Sequence, residues 1–248
     1  MSTILMPLPE SDFDPTESGV PWRVLTERGH KLVFATPEGL PAQADLRMLD
    51  GSGLGILAPL LCADRNGRTA YEAMAQCPEF LSPLRWEEVE PGSFDALLLP
   101  GGHAPGMRPY IESETLQALV AESFRTDKIV AAICHGVLLA ARSNATDDTS
   151  ILHDRQTTAL LKAQEMFAWV LTFVWLGDYY RTYQVCVQDE VRACLANPEQ
   201  FISGTLPLKR DSPEHPEDGF CVRDRNYLSA RWPGDAHRFA LELVAMLR

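Results

Sequence analysis

The 248-residue chain has no Cys-x-x-Cys pair among its six cysteines, and positions 62, 77, 134, 186, 194 and 221 stand far apart. That spacing argues against a zinc ribbon or a thioredoxin-type motif, and a disulfide scaffold is out of keeping with this length. No two histidines have ligand spacing, so no metal site is expected. Basic residues are the minority: 22 Lys and Arg stand against 34 Asp and Glu, a formal net charge of -12. Such a surface repels phosphate backbones and anionic lipid, which argues against nucleic-acid and membrane partners. The longest apolar run, Met166 to Leu176, is well short of the roughly 20 residues of a membrane span. The opening MSTILMPLPESDFD has no basic leader and is cut by Pro7 and Pro9, which points to the cytosol. No internal repeat or low-complexity segment interrupts the chain.

What is present suits a large α/β domain. A hydrophobic content of 46% with 23% charged residues supports a sizeable core spanning residues 1–248. Short continuous apolar runs recur at Ile4 to Met6, Leu32 to Ala35, Ala96 to Leu99 and Ile129 to Ile133, as expected of strands buried on both faces of a mainly parallel sheet. Between the last two, Leu116, Leu119, Val120 and Phe124 recur at helical spacing behind Ser113 as a cap, which makes a βαβ crossover. Helices are also expected over Met166 to Leu176, over Gln188 to Leu195, and after Asp235, where Ala240, Leu243, Val244 and Leu247 form a stripe. A hairpin of Phe220 to Arg223 and Tyr227 to Ser229 precedes that last helix, and Gly204 to Asp218 reads as loop. The stretch from about 48 to 90 shows no convincing strand and a short helix around Thr69 to Ala75. It reads as a cap inserted over one end of the sheet.

The chemistry concentrates in KIVAAICHGVLLAARS, residues 128–143, where a buried strand runs straight into Cys134-His135-Gly136 and then a helical pattern. A sharp turn there holds the Cys134 sulfur above the strand ends, near N–H groups of the following helix, so a low-pKa thiol is expected. Ala132 and Gly136 are small enough to let the turn close. The strand Ala96 to Leu99 ends in Pro100-Gly101-Gly102-His103, and backbone N–H groups of that turn, with that of His135, can receive a developing oxyanion. After the first strand, Asp14 and Pro15 read as a helix cap and first turn. Glu17 then either completes a capping box or, because Pro21 disturbs the helix, points over the sheet edge. A carboxyl beside a thiolate has its ionisation suppressed and can shuttle a proton.

Glu17 in TESGVP, the LLLPGGH turn and the AICHG elbow, in that order and at those separations, resemble the ThiJ/PfpI superfamily over most of the chain. That superfamily includes intracellular peptidases, glutathione-independent glyoxalases and stress chaperones. The resemblance implies a flavodoxin-like three-layer fold with a cap like that of the heat-shock glyoxalase and chaperone members. It implies Cys134 as nucleophile with His135 beside it, Glu17 against the sulfur, and Gly101, Gly102 and His103 around the substrate carbonyl. It further implies a cofactor-free enzyme acting on a small-molecule carbonyl or amide substrate, and a homodimer, since relatives often pair. In glyoxalase-type members an acid after the next strand orients the histidine. Lys162 stands in the nearest slot of TTALLKAQE, which leaves Glu165 as the candidate.

Two other readings carry sequence support. A reactive Cys134 held by Glu17 also suits a redox or stress-responsive binding protein without turnover. His215-Pro216-Glu217 resembles the end of a class I glutamine amidotransferase triad, although no apolar strand precedes it. The cluster Tyr179, Tyr180, Arg181, Tyr183 and the stretch Ser229 to Asp235 are further candidates to line a pocket.

Overall fold

Seven strands form the main sheet of the computed structural model, which describes residues 1–248. In chain order the strands are β1 (Thr3–Pro7), β2 (Ser11–Phe13), β3 (Lys31–Thr36), β4 (Gln43–Ala44), β5 (Leu84–Arg85), β6 (Ala96–Leu99), β7 (Ile129–Ile133), β8 (Cys221–Asp224) and β9 (Tyr227–Ala230). The sheet runs β5-β3-β1-β6-β7-β9-β8, and β2 and β4 pair separately. Every pairing in the main sheet is parallel except the β8–β9 hairpin. The apolar runs explain the order. β1, β6 and β7 are buried almost throughout and occupy the middle, as strands covered on both faces must.

Helices cover both faces. Pro15–Glu27, Arg65–Met74 and Ala236–Met246 pack together on one side, and Glu114–Arg125, Gly136–Ala141 and Val187–Cys194 group on the other. This is the expected α/β three-layer, flavodoxin-like arrangement. From β1 the strand order proceeds outward in both directions, through β3 one way and β6 the other, so the topological switch point lies at the carboxyl ends between β1 and β6. Open α/β sheets bind ligands at such a switch point.

The segment from 48 to 90 differs from a simple cap. It contributes β5 to the sheet edge, where Ala35 pairs with Leu84. Its Arg65–Met74 helix joins a side layer, against Pro15–Glu27. β5 was not legible because it is two exposed residues long. Phe80 and Trp86 join the main core, while Met48, Leu54 and Cys62 form with Tyr180 a small second apolar cluster, packed with Trp169, Leu176 and Tyr179. Because Tyr180 also stacks on His103, just past the end of β6, this cluster roofs the carboxyl edge of the sheet.

Two glycines set the contact between the paired helices. A Cβ on Gly19 would lie 2.6 Å from the Tyr71 backbone nitrogen, and one on Gly67 would lie 2.5 Å from Thr16 Oγ1. In an exposed helix Gly→Ala gains up to about 1 kcal/mol of propensity, but overpacking against backbone costs about 1–3 kcal/mol. Gly19→Ala is therefore expected to lower the urea midpoint, and a midpoint equal to or above wild type would contradict this close approach.

Candidate functional site

The elbow is built as the apolar strand and small residues demand. β7 ends at Ile133, and Cys134 takes φ 57°, a left-handed conformation that a side-chain-bearing residue adopts only when its surroundings enforce it. The enforcement is visible: the Cys134 N–H donates to the Ala230 carbonyl at 3.0 Å, continuing the β7–β9 ladder past the strand end. Gly136 begins the following helix so close to β6 that an added Cβ would lie 2.2 Å from the Leu99 oxygen. The sulfur is thereby presented at the carboxyl edge, in a site that is almost sealed, with Cys134 4% exposed and His135 and Glu17 0%.

Glu17 reaches this point from the helix after β2. The Asp14 carboxylate caps that helix, accepting from Thr16 N–H at 2.8 Å and Glu17 N–H at 3.0 Å, and Pro15 takes the first position, where no donor is missed. The helix runs on through Pro21 to Glu27 rather than breaking there. Glu17 does not turn back to form a capping box. Its Oε2 crosses to accept from Gly101 N–H at 2.9 Å, while Oε1 is buried without a partner, with the carboxyl against the Cys134 thiol.

Charge in this sealed space is limited. Burial first, then the Asp14 carboxylate, raise the Glu17 carboxyl well above its usual range, and burial raises Asp14 to about 6. Burial, followed by the Glu17 and Asp14 carboxylates, also pushes the Cys134 thiol up, against the His135 backbone N–H that favours the thiolate. The expectation of a depressed thiol pKa is thus not met, because burial first, and the neighbouring carboxyls after it, outweigh a helix only six residues long. Glu17 is held protonated beside the sulfur, and its neutral carboxyl has an O–H to donate.

The protonation of His135 follows from counting hydrogens. Thr182 has one hydroxyl proton, which it donates to the His103 carbonyl at 2.6 Å. Its oxygen must then accept from His135 Nε2 at 3.1 Å, so the ring hydrogen is on Nε2. Nδ1 is left bare, 3.5 Å from the Cys134 sulfur, where it can accept the thiol proton. Burial, then the neighbouring His103 and Arg142, lowers the His135 pKa to about 3, so the ring is neutral at physiological pH.

Glu165 was expected in the orienting role now held by Thr182. No strand forms before it, and Glu165 instead accepts the Val187 N–H at 3.0 Å, capping the Val187–Cys194 helix next to Cys186. Lys162 pairs with Asp189 at 2.6 Å. Burial raises the Glu165 pKa to about 7, so the folded state holds this proton more tightly than the unfolded chain. The associated stability is complete below the unfolded value of 4.5 and is lost as pH rises through about 7. Glu165→Gln should therefore gain stability relative to wild type between pH 5 and pH 8, by up to about 3 kcal/mol, read from urea titrations at both pH values. A pH-independent difference would contradict this burial cost.

The glycine turn is partly committed. Gly101 N–H is spent on Glu17 and the His135 N–H on the sulfur, so neither is free for an oxyanion as expected. Gly102, at φ 153°, has an N–H without a bonded partner. The His103 ring stacks on Tyr180 at 4.2 Å with Nε2 buried and unpartnered, and burial lowers its pKa to about 4. His215 is not brought to the thiol. It sits in a solvent-exposed turn with Nδ1 3.1 Å from Glu217, and His135 occupies the place beside the sulfur.

Comparison with known proteins agrees with this geometry. A model of the ThiJ/PfpI-like family matches residues 8–209. An uncharacterised protein of Schizosaccharomyces pombe is 26% identical over 179 residues, 67% of this chain and 66% of that protein. A deglycase of Thermococcus kodakarensis is 28% identical over 167 residues, 66% of this chain and 69% of its own length. The chain thus spans about two thirds of the length of these curated relatives. Among solved structures, glyoxalase III of Candida albicans superposes with TM-score 0.67 at 16% identity, covering 99% of this chain and 97% of that one, a likeness of fold.

Proposed function

Because this chain belongs to the ThiJ/PfpI-like family, we propose that it is a cofactor-independent cysteine enzyme acting on small electrophilic carbonyl compounds, of the 2-oxoaldehyde type. The observation that carries the reading is the Cys134 sulfur on its strained elbow, between a bare imidazole nitrogen and a protonated carboxyl. The names of the Thermococcus deglycase and the Candida glyoxalase III support the same class of chemistry.

The steps balance without a cofactor. His135 Nδ1 takes the thiol proton as sulfur bonds to the aldehyde carbon, and the Glu17 carboxyl gives its proton to the carbonyl oxygen, beside the Gly102 N–H, to form a hemithioacetal. Glu17, now a carboxylate, takes the proton from that carbon and delivers it to the neighbouring carbon, while the hydroxyl proton passes to the former ketone oxygen, which converts the adduct to a thioester of a 2-hydroxy acid. Water then cleaves the carbon–sulfur bond, releasing the hydroxy acid and restoring the thiol, and His135 returns its proton to Glu17. An amide substrate would follow a related acyl-enzyme route. The deciding experiment is a panel of small 2-oxoaldehydes and amides, with hydroxy acid and ammonia quantified. Hydroxy acid from the aldehydes is expected, and an inert panel would end the enzymatic reading.

A second reading draws on the unpartnered Glu17 Oε1. A protonated carboxyl beside the thiol could donate to an oxygen placed on sulfur, favouring a sulfinic acid at Cys134 in a redox-responsive protein. Mass spectrometry after mild peroxide would then find two added oxygens at Cys134 ahead of the other five cysteines, together with an inert panel.

A further inference from the structure

β9 runs beside β7, and its last residue, Ala230, accepts the Cys134 N–H, so the chain leaving β9 passes along the same carboxyl edge that carries the thiol. Two residues on is Trp232. Over its ring lies the Arg210 guanidinium, 5.4 Å from the centroid, contributed by the loop that precedes the β8–β9 hairpin. The pair is firmly placed. Asp211 N–H donates to Gly234 O at 2.7 Å, its buried carboxyl accepts Arg238 N–H at 2.8 Å, and Arg210 Nη2 donates to Cys62 O at 3.1 Å. Cys62 belongs to the apolar roof that includes Tyr180.

Two donors in this arrangement lack acceptors. Arg210 Nη1 and Trp232 Nε1 are both shielded from solvent and unbonded, and Arg210 forms no salt bridge. Buried donors are paired in the great majority of cases, and an exception points to a missing ligand, ion or water. Here one donor is cationic and the other lies in the ring beneath it, a pairing that suits an anion with two oxygens. The nearby carboxylate, Asp14, is turned to its helix cap, and Arg210 reaches it only through its field. The neighbouring Arg231 is committed to Asp235, at 2.8 Å.

We infer that Arg210 and Trp232 form an anion subsite on the rim of the Cys134 site, taking a carboxylate or phosphate carried by the carbonyl substrate. The assignment of that anion to a substrate rests on the enzymatic reading above; the binding of the anion does not. The experiment is isothermal titration of Cys134→Ala protein, which cannot turn over, with glycolate and separately with inorganic phosphate. Each titration is repeated in the Arg210→Met and Trp232→Phe backgrounds, with thermal melts to establish folding. At least one anion should bind. Arg210→Met should weaken it by tenfold or more, and Trp232→Phe, which keeps an aromatic face but removes the donor, by a smaller factor. Whichever anion binds identifies the group. Equal affinity in Arg210→Met, or no heat from either anion in the folded parent, overturns the subsite. An inert substrate panel with anion binding intact would remove the enzymatic reading and leave the subsite standing.

Discussion

Replacing Cys134 with alanine should abolish turnover of 2-oxoaldehydes, by on the order of 10⁴-fold or more, while Cys186→Ala keeps the wild-type rate. Cys186 makes the comparison informative because it is also buried, also begins a helix, and also lies beside a carboxyl, that of Glu165. It lacks the left-handed backbone and the facing imidazole nitrogen. If reactivity came only from a thiol near an acid and a helix start, the two variants would lose activity alike, and that outcome would refute the assignment. The pH dependence adds a signed check. His135 stays a neutral base until pH falls toward about 3, whereas burial and the adjoining carboxyls raise the thiol. The state that reacts, neutral His135 facing a protonated thiol, is therefore already fully populated at pH 5, and turnover should stay level from there into the neutral range. A rate that climbs steadily with pH over that range would mean that a thiolate formed beforehand, rather than proton transfer to His135, starts the reaction.

The second large effect concerns the turn itself. Gly136→Ala places a methyl 2.2 Å from Leu99 O and 2.8 Å from Pro100 O, both backbone atoms of a central strand end. That end has little room to retreat, since Gly101 beyond it is bonded at both polar atoms, through its N–H to Glu17 and through its carbonyl to Asp14 N–H at 2.8 Å. Overpacking of this kind costs about 3 kcal/mol or more, which in a domain of this size lowers the melting temperature by roughly 6–12 °C. Calorimetry or a circular-dichroism melt reads it directly. A wild-type melting temperature in this variant would mean that the elbow does not press against β6 as the backbone positions indicate.

The parts of the site that the sequence discloses are those written in local signals. An apolar run ending in Cys-His-Gly, a second ending in Pro-Gly-Gly, and Asp-Pro before Glu17 are each short patterns whose backbone consequences are predictable, and the fold brings all three to the carboxyl edge of the sheet. Thr182 was hidden for the opposite reason. It lies 47 positions after His135, in a stretch without regular structure, and a threonine has no pattern that marks it as a histidine's partner. Glu165 is the acid nearest the slot in sequence, yet a carboxylate serves equally well as a helix cap, and tertiary contact decides between the two roles. Within residues 48–90 the two-residue edge strand has no periodicity to detect, and the amphipathic pattern of the Arg65–Met74 helix does not specify which layer it joins.

The borders of the main sheet bear on how the molecule behaves in a crowded solution. A row of unsatisfied backbone groups along an outermost strand is a template on which another chain can polymerise. At one margin β5 exposes only two residues, too few for a stable ladder, and Arg85 there is paired with Glu38. At the other, β8 is a four-residue strand closed by a hairpin, with Arg223 and Asp224 on it. Both margins are short and carry charge, so growth into fibrils by edge-to-edge recruitment is disfavoured even though the central strands β6 and β7 are wholly aliphatic.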